Sequence, residues 1–203
     1  MCSSDLIMEK MLVFSEGNIH DIDHLIRVWT YAKTIGELED LDDETQFVLE
    51  VAAITHDIAC PLCRKKYGNT NGKHQEAEGV PMVKTFLSGT GLSVEKIERI
   101  AYLVGHHHTF SNIDGLDYQI LLEADYIANA SENTYPRTNI ENFLSKIAKT
   151  SAGKRLTEEI LLTGKRSYPT KNEAERILTT PPKRAVSPFP GLFHNFPPSA
   201  AIT

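Results

Sequence analysis

Histidine and aspartate side chains lie at three separate places in the chain, each beside or inside an apolar stretch. His20 and His24, the latter opening HLIRVWTYA, lie four residues apart and share one helix face, so that one of them could reach inward. His56 and Asp57 are adjacent in AAITHDIA, and Asp125 lies within LLEADYIAN. An unpaired buried carboxylate is costly, so Asp125 needs a cation, a metal or several hydrogen bonds. Any one histidine could be an ordinary hydrogen-bonded imidazole. Together, the nitrogen and oxygen donors are ligands that suit manganese, iron, magnesium or zinc.

More histidines and a short basic segment fall between the His-Asp pair and Asp125. His74 stands in KHQEAEG, and three consecutive histidines, including His106 and His107, stand in VGHHHT. Arg64 and Lys65 follow the His-Asp pair, where their charges could meet a substrate phosphate or form a solvated loop. The sequence leaves that alternative open.

Cys60 and Cys63 form a Cys-x-x-Cys motif around Pro61. A structural zinc needs four ligands, and no second pair stands at a finger-like distance. We therefore expect the two cysteines to flank a turn at Pro61.

Helical periodicity dominates the elements that must position these side chains. Apolar residues recur at helical spacing, and Asp43 and Ser93 are placed to cap helix starts. No convincing alternating strand pattern occurs. The sequence predicts an all-α bundle of about six to eight helices, over residues 5–14, 21–38, from 43 to the His-Asp pair, about 74–88, from 93 onward and 116–131, with one or two more in 139–163.

Length and composition are those of one globular domain. The chain has 203 residues and a formal net charge of −6, and six of its ten prolines lie beyond residue 180. We expect a domain over residues 1–178 and a flexible Pro-rich tail over 179–203. Net negative charge disfavours nucleic-acid and anionic-membrane partners, and no signal peptide or membrane span is indicated. A cytoplasmic protein with a small-molecule ligand is expected, and its oligomeric state is left open.

The order His24, His56-Asp57 and Asp125, with its flanking apolar residues, resembles the HD-domain superfamily of metal-dependent phosphohydrolases over about residues 18–133. The resemblance implies an all-α fold in which these four residues bind one divalent metal. It also implies hydrolysis of phosphomonoesters, nucleotides, or cyclic or dinucleoside phosphates by metal-activated water.

A subgroup with two metals carries additional histidines before the final aspartate. His74 and His107 are similar to those ligands, and the interval from His107 to Asp125 matches dinuclear diadenosine-tetraphosphate hydrolases. Gly79 follows His74 by five residues, where these relatives have four. The resemblance then implies that Asp57 bridges two ions as the catalytic carboxylate, with His74, His107 and, as an additional ligand, His106 on the second.

Two other functions remain compatible with the pattern. One is a diiron oxygenase-type redox enzyme on the same fold, which would bind oxygen with its substrate present and release no phosphate. The other is a non-catalytic metabolite-sensing HD module, against which the intact ligand set counts. The predicted substrate is a small phosphorylated metabolite or nucleotide, with Arg64 and Lys65 as binding residues.

Overall fold

Helices make up the part of the chain that the computed structural model describes, residues 3–163, and no strand occurs there. The all-α prediction is confirmed. The predicted boundary at residue 178 and the Pro-rich tail 179–203 lie outside the described residues. The elements are α1 (Ser4–Phe14), α2 (Ile19–Leu38), α3 (Asp43–Thr55), α4 (Cys60–Tyr67), α5 (Gly72–Leu87), α6 (Val94–Val104), α7 (Leu116–Glu132), α8 (Arg137–Lys146) and α9 (Ser151–Thr157), which continues into a π-helical segment (Glu158–Leu162).

The centre of the bundle is α3. Beyond its exposed first turn it is buried on almost every side, as expected of a helix surrounded by others, and it packs against α1, α2, α6 and α7. Leu49, Val51 and Ile54 are fully buried there. The stretch Asp43–Tyr67 is long and apolar enough to cross a membrane by composition, but 78% of its apolar window is buried inside the protein, as is usual for a core helix.

Two helix starts show how well capping can be inferred from sequence. Ser93 caps α6 as predicted, accepting the backbone N–H of Lys96 at 3.4 Å. The cap of α3 is Asp42 rather than Asp43. Its Oδ1 accepts the N–H groups of Glu44 and Thr45, both at 3.0 Å, because the chain is extended at residue 42 and already helical at residue 43.

The expected turn at Pro61 and the basic loop after it form one helix, α4. The prediction was wrong because proline lies in the first turn of α4, where its missing N–H removes no helical hydrogen bond. Gly68 ends α4 in the left-handed conformation, with a φ of 71°. The basic residues therefore lie on a short rigid element beside the His-Asp pair.

A buried carboxylate fixes α7 against the connection between α8 and α9. Glu123 is fully buried, and it accepts hydrogen bonds from the Gln119 side chain at 2.7 Å and the Lys149 backbone N–H at 2.6 Å. It also accepts the backbone N–H of Thr150 at 3.1 Å and the Thr150 hydroxyl. Glu123 lies two residues before Asp125, so this network helps to hold the helix that carries the final aspartate.

We expect Glu123→Ala to lower the free energy of unfolding by about 3 kcal/mol, because it leaves several buried donors without an acceptor. Urea denaturation followed by circular dichroism measures the change. Glu141→Ala, which removes an exposed carboxylate that pairs with Arg137, is the control and should change stability by less than about 0.5 kcal/mol. Equal effects of the two substitutions would contradict a structural role for the network.

Candidate metal centre

Three helical segments bring four of the predicted residues together. His24 lies on α2, His56 and Asp57 follow the end of α3, and Asp125 lies on α7. The Nε2 atom of His24 is 3.2 Å from Nε2 of His56 and 3.2 Å from Oδ1 of Asp125. Asp57 Oδ2 lies 3.7 Å from Nε2 of both histidines. The four side chains thus converge on one small volume.

The second nitrogen of each histidine determines which atom faces this volume. His56 and His107 each donate Nδ1–H to the carbonyl oxygen three residues earlier, at 2.8 and 2.7 Å. His24 donates its Nδ1–H to Glu132 Oε2 at 2.9 Å. With Nδ1 bonded outward, each imidazole turns Nε2 inward, which is the usual arrangement of metal-binding histidines.

The electrostatics of the cluster favour a cation. Two imidazole Nε2 atoms 3.2 Å apart attract each other only when a proton or another cation lies between them. Burial lowers the pKa of His24, but the hydrogen bond to Asp125 and the charges of Asp57, Asp125 and Glu132 outweigh it and raise the pKa from 6.5 to about 9. Burial also opposes ionisation of Asp57, yet His56, His107 and His24 hold the pKa of that carboxyl well below its usual range. The donor set therefore fits a divalent ion.

A second group of donors lies on the other side of Asp57. Its Oδ1 is 3.5 Å from Nε2 of His107, and ligand atoms of Asp57, His107 and His108 all lie within 4.8 Å of one another. Apart from that approach, Nε2 of His107 and of His108 are buried without a hydrogen-bond partner among the described residues. Burial and the neighbouring His107 lower the pKa of His108 to about 4, so this imidazole is neutral. The two oxygens of Asp57 face the two groups separately.

The structure brings neither His74 nor His106 into these groups. The His74 ring stacks on Tyr67 with 3.9 Å between centroids. His106 stacks on Tyr102 at 4.2 Å and directs Nδ1 to the Tyr102 carbonyl oxygen at 2.7 Å. Helix α6 ends at Val104, so a helical projection does not extend through the three histidines.

His108 and Glu132 are site residues that the sequence analysis did not select. His108 packs closely on the backbone of α5, where a Cβ at Gly72 would lie 2.7 Å from its ring. The position of Glu132 in the sequence could have indicated its place at the site. It follows Asp125 by seven residues, a spacing that places both on one face of a helix.

A cleft of about 250 Å³ opens over the cluster. Its lining includes Asp57, Asp125, His108 and Arg64. Arg64 makes a two-point ion pair with Asp21, with 3.2 Å between Nη1 and Oδ1. Lys65 is exposed and does not line the cleft. Of the two predicted basic residues, only Arg64 therefore reaches the site.

Cys60 and Cys63 are free and buried. Cys60 lines the cleft beside Asp57, and burial together with that negative charge raises the pKa of its thiol. A thiol held in its protonated form is a poor nucleophile and a poor redox group. The two cysteines are buried side chains of α4, and Cys60 places the start of that helix against the cleft.

Comparison with known proteins agrees with the all-α fold. A model of the HD domain family matches residues 21–148. The crystal structure of a predicted HD superfamily hydrolase from an uncultured Thermotogales bacterium is similar, with a TM-score of 0.56 and 21% sequence identity, over 77% of this chain and 83% of that chain. At that identity the likeness shows the fold. No curated protein matches the chain.

We expect the metal-stripped protein to lose stability as pH rises from 6.5 to 9. The folded-state pKa of His24 is raised, so its contribution to stability is complete below 6.5 and is lost as pH rises through about 9. Urea denaturation at several pH values in a chelator measures the slope. His24→Gln should flatten it, whereas His20→Gln, which changes an exposed histidine, should not. An unchanged slope in His24→Gln would contradict the assignment.

Proposed function

The chain belongs to the HD-domain family, and from that premise we propose that it is a metal-dependent phosphohydrolase acting on a small phosphorylated metabolite or nucleotide in the cytoplasm. The observation that supports this most is the convergence of inward-facing Nε2 atoms and carboxylate oxygens beneath an open cleft. In the proposal, His24, His56, Asp57 and Asp125 hold a divalent ion. Asp57, His107 and His108 hold a second.

A bound divalent ion supplies a water of lowered pKa and offsets negative charge on a phosphoryl group. The protein's own contribution is to fix the donors. Glu132 holds the His24 ring through Nδ1, and Asn129 donates to Asp125 Oδ1 at 2.8 Å. These hydrogen bonds set the orientation of the two side chains before any ligand binds, which lowers the cost of reorganisation during the reaction.

Asp57 is the residue assigned to the reacting centre. Its two oxygens face different donor groups, and a carboxylate, unlike an imidazole, can bind on both sides at once. At the edge of the cleft, Arg64 offers a planar pair of N–H donors that matches phosphate oxygens. A phosphate entering the cleft competes with Asp21 for this guanidinium. Lys65, exposed and outside the cleft lining, has no comparable role.

The proposal is tested by metal analysis of the purified protein and a phosphate-release screen over nucleotides, dinucleotides and sugar phosphates. We expect activity in the wild type and a loss of at least about 100-fold in Asp57→Asn, which keeps the shape of the side chain but removes its charge. Asp43→Asn, at an exposed first-turn position of α3, is the control and should retain activity.

Circular dichroism separates the explanations for a loss of activity. Asp57→Asn should keep its helical signal, and a collapse of that signal would make Asp57 structural instead. Metal-saturated wild-type protein that releases no phosphate from any substrate would refute the phosphohydrolase. Iron that reacts with oxygen in that protein would favour the oxygenase alternative.

The second donor group predicts a metal stoichiometry near two per chain. We expect His108→Ala to lower the stoichiometry toward one, because His108 lies within 4.8 Å of the other two donors. His106→Ala should leave the stoichiometry unchanged, since the His106 ring is hydrogen-bonded to the Tyr102 carbonyl oxygen and lies outside both donor groups. Inductively coupled plasma mass spectrometry on metal-saturated, desalted protein gives the count. One ion per wild-type chain would leave a mononuclear site and refute the role of His108.

A further inference from the structure

A second cleft, of about 620 Å³, lies next to the one over the metal centre. Its walls come from the end of α1, the connection from α1 to α2, and the start of α4. Val13 and Phe14 form its apolar side, and Pro61 and Arg64 belong to α4. Nothing in the role of the metal centre described so far uses this cleft.

Arg64 joins the two clefts, because its side chain lines both. It is 41% exposed, and its guanidinium is held on the side of the metal centre by Asp21. A long side chain that lines both clefts forms a rim that they share. A ligand bound to the guanidinium through a phosphate can therefore extend into the second cleft.

The apolar side of the second cleft is exposed. Val13 is 76% exposed and Phe14 37% exposed. The Phe14 ring is fixed in place by an edge-to-face contact with Phe86, with 5.7 Å between centroids. Exposed apolar side chains that line a cleft and stand next to a cation provide surface that a ligand with both apolar and anionic parts would cover.

The volumes of the two clefts indicate which part of a substrate each could hold. Pockets that enclose small molecules usually measure about 300–1,000 Å³. The cleft over the metal centre, at about 250 Å³, falls just below that range. The adjoining cleft, at about 620 Å³, lies well within the range. A bulky substituent therefore has more room in the second cleft.

We propose that the second cleft is the leaving-group subsite of this enzyme, and that it selects phosphoesters whose leaving group is bulky and apolar, such as an aromatic ring system. The inference rests on the proposed phosphohydrolase function. The phosphate lies over the metal centre and meets Arg64 at the rim. The ring system packs against Val13, Phe14 and Pro61, which removes apolar surface of both partners from water.

The test compares two non-hydrolysable probes, 1-naphthylphosphonate and methylphosphonate, by isothermal titration calorimetry on metal-loaded protein. We expect the naphthyl compound to bind about tenfold more tightly to the wild type, as covering this apolar surface would give. Val13→Asn and Phe14→Ala should each reduce the ratio of the two affinities toward one. Arg64→Ala should weaken both probes together and leave the ratio in place.

Val94→Asn is the matched control for Val13→Asn. Val94 is also a highly exposed valine, at 69%, but it lies at the start of α6 and lines neither cleft. The control should retain the wild-type ratio. Phe14→Ala also removes the contact with Phe86, so the melting temperature of this variant is measured as well. Val13→Asn tests the subsite while the contact between Phe14 and Phe86 is kept.

The outcomes separate this inference from the function on which it rests. Equal affinity for the two probes, or no binding of either while phosphoesters are hydrolysed, refutes the subsite and leaves the phosphohydrolase intact. Loss of the ratio in Val94→Asn as well as in Val13→Asn also refutes the subsite. Absence of both probe binding and phosphate release refutes both proposals.

Discussion

The rest of the structure depends on one constraint: imidazole nitrogens and carboxylate oxygens are packed together with too little positive charge between them. Nε2 of His24 approaches both Nε2 of His56 and Oδ1 of Asp125 at 3.2 Å. Such a cluster is stable only if a proton or a metal ion supplies the missing charge, which is why the pKa of His24 is raised. The surrounding fold must therefore hold mutually repelling groups in place. The hydrogen bonds made by Nδ1 of His24, His56 and His107 meet that requirement.

The histidine rings are held by hydrogen bonds from their Nδ1 atoms, which face away from the metal centre. Glu132, on α7, bonds Nδ1 of His24, on α2, so one hydrogen bond both orients a ligand and ties together two helices that pack closely. The rings of His56 and His107 are fixed by carbonyl oxygens of their own helices. A histidine ring that is hydrogen-bonded to a backbone carbonyl oxygen cannot rotate away from the neighbouring imidazoles. The geometry of the site therefore follows from where α3 and α6 end.

Periodicity and residue chemistry predicted the helices and indicated His56, Asp57 and Asp125 together with one of His20 and His24. The resemblance to the HD-domain superfamily selected His24. They could not place the later histidines, because which of three consecutive imidazoles turns inward depends on how the chain leaves α6 after Val104. The helix α4 was missed for a related reason. Proline normally marks a break, and only its position in the first turn makes it compatible with a helix. Tertiary contacts, such as the stacking of His74 on Tyr67, leave no local sequence signal.

Charge also links the two clefts to the metal centre. Asp21, Asp57 and Asp125 all line the cleft over the cluster, and without a bound cation their field repels an anionic phosphate. Arg64 alone does not reverse this, because its guanidinium is already paired with Asp21. A divalent ion held by Asp57 and Asp125 would offset their charge, and a phosphate could then compete with Asp21 for Arg64. In the proposed function, substrate affinity and metal occupancy are therefore coupled through the same few side chains, because a phosphate would enter the cleft over the metal centre only when a cation offsets the charge of these carboxylates.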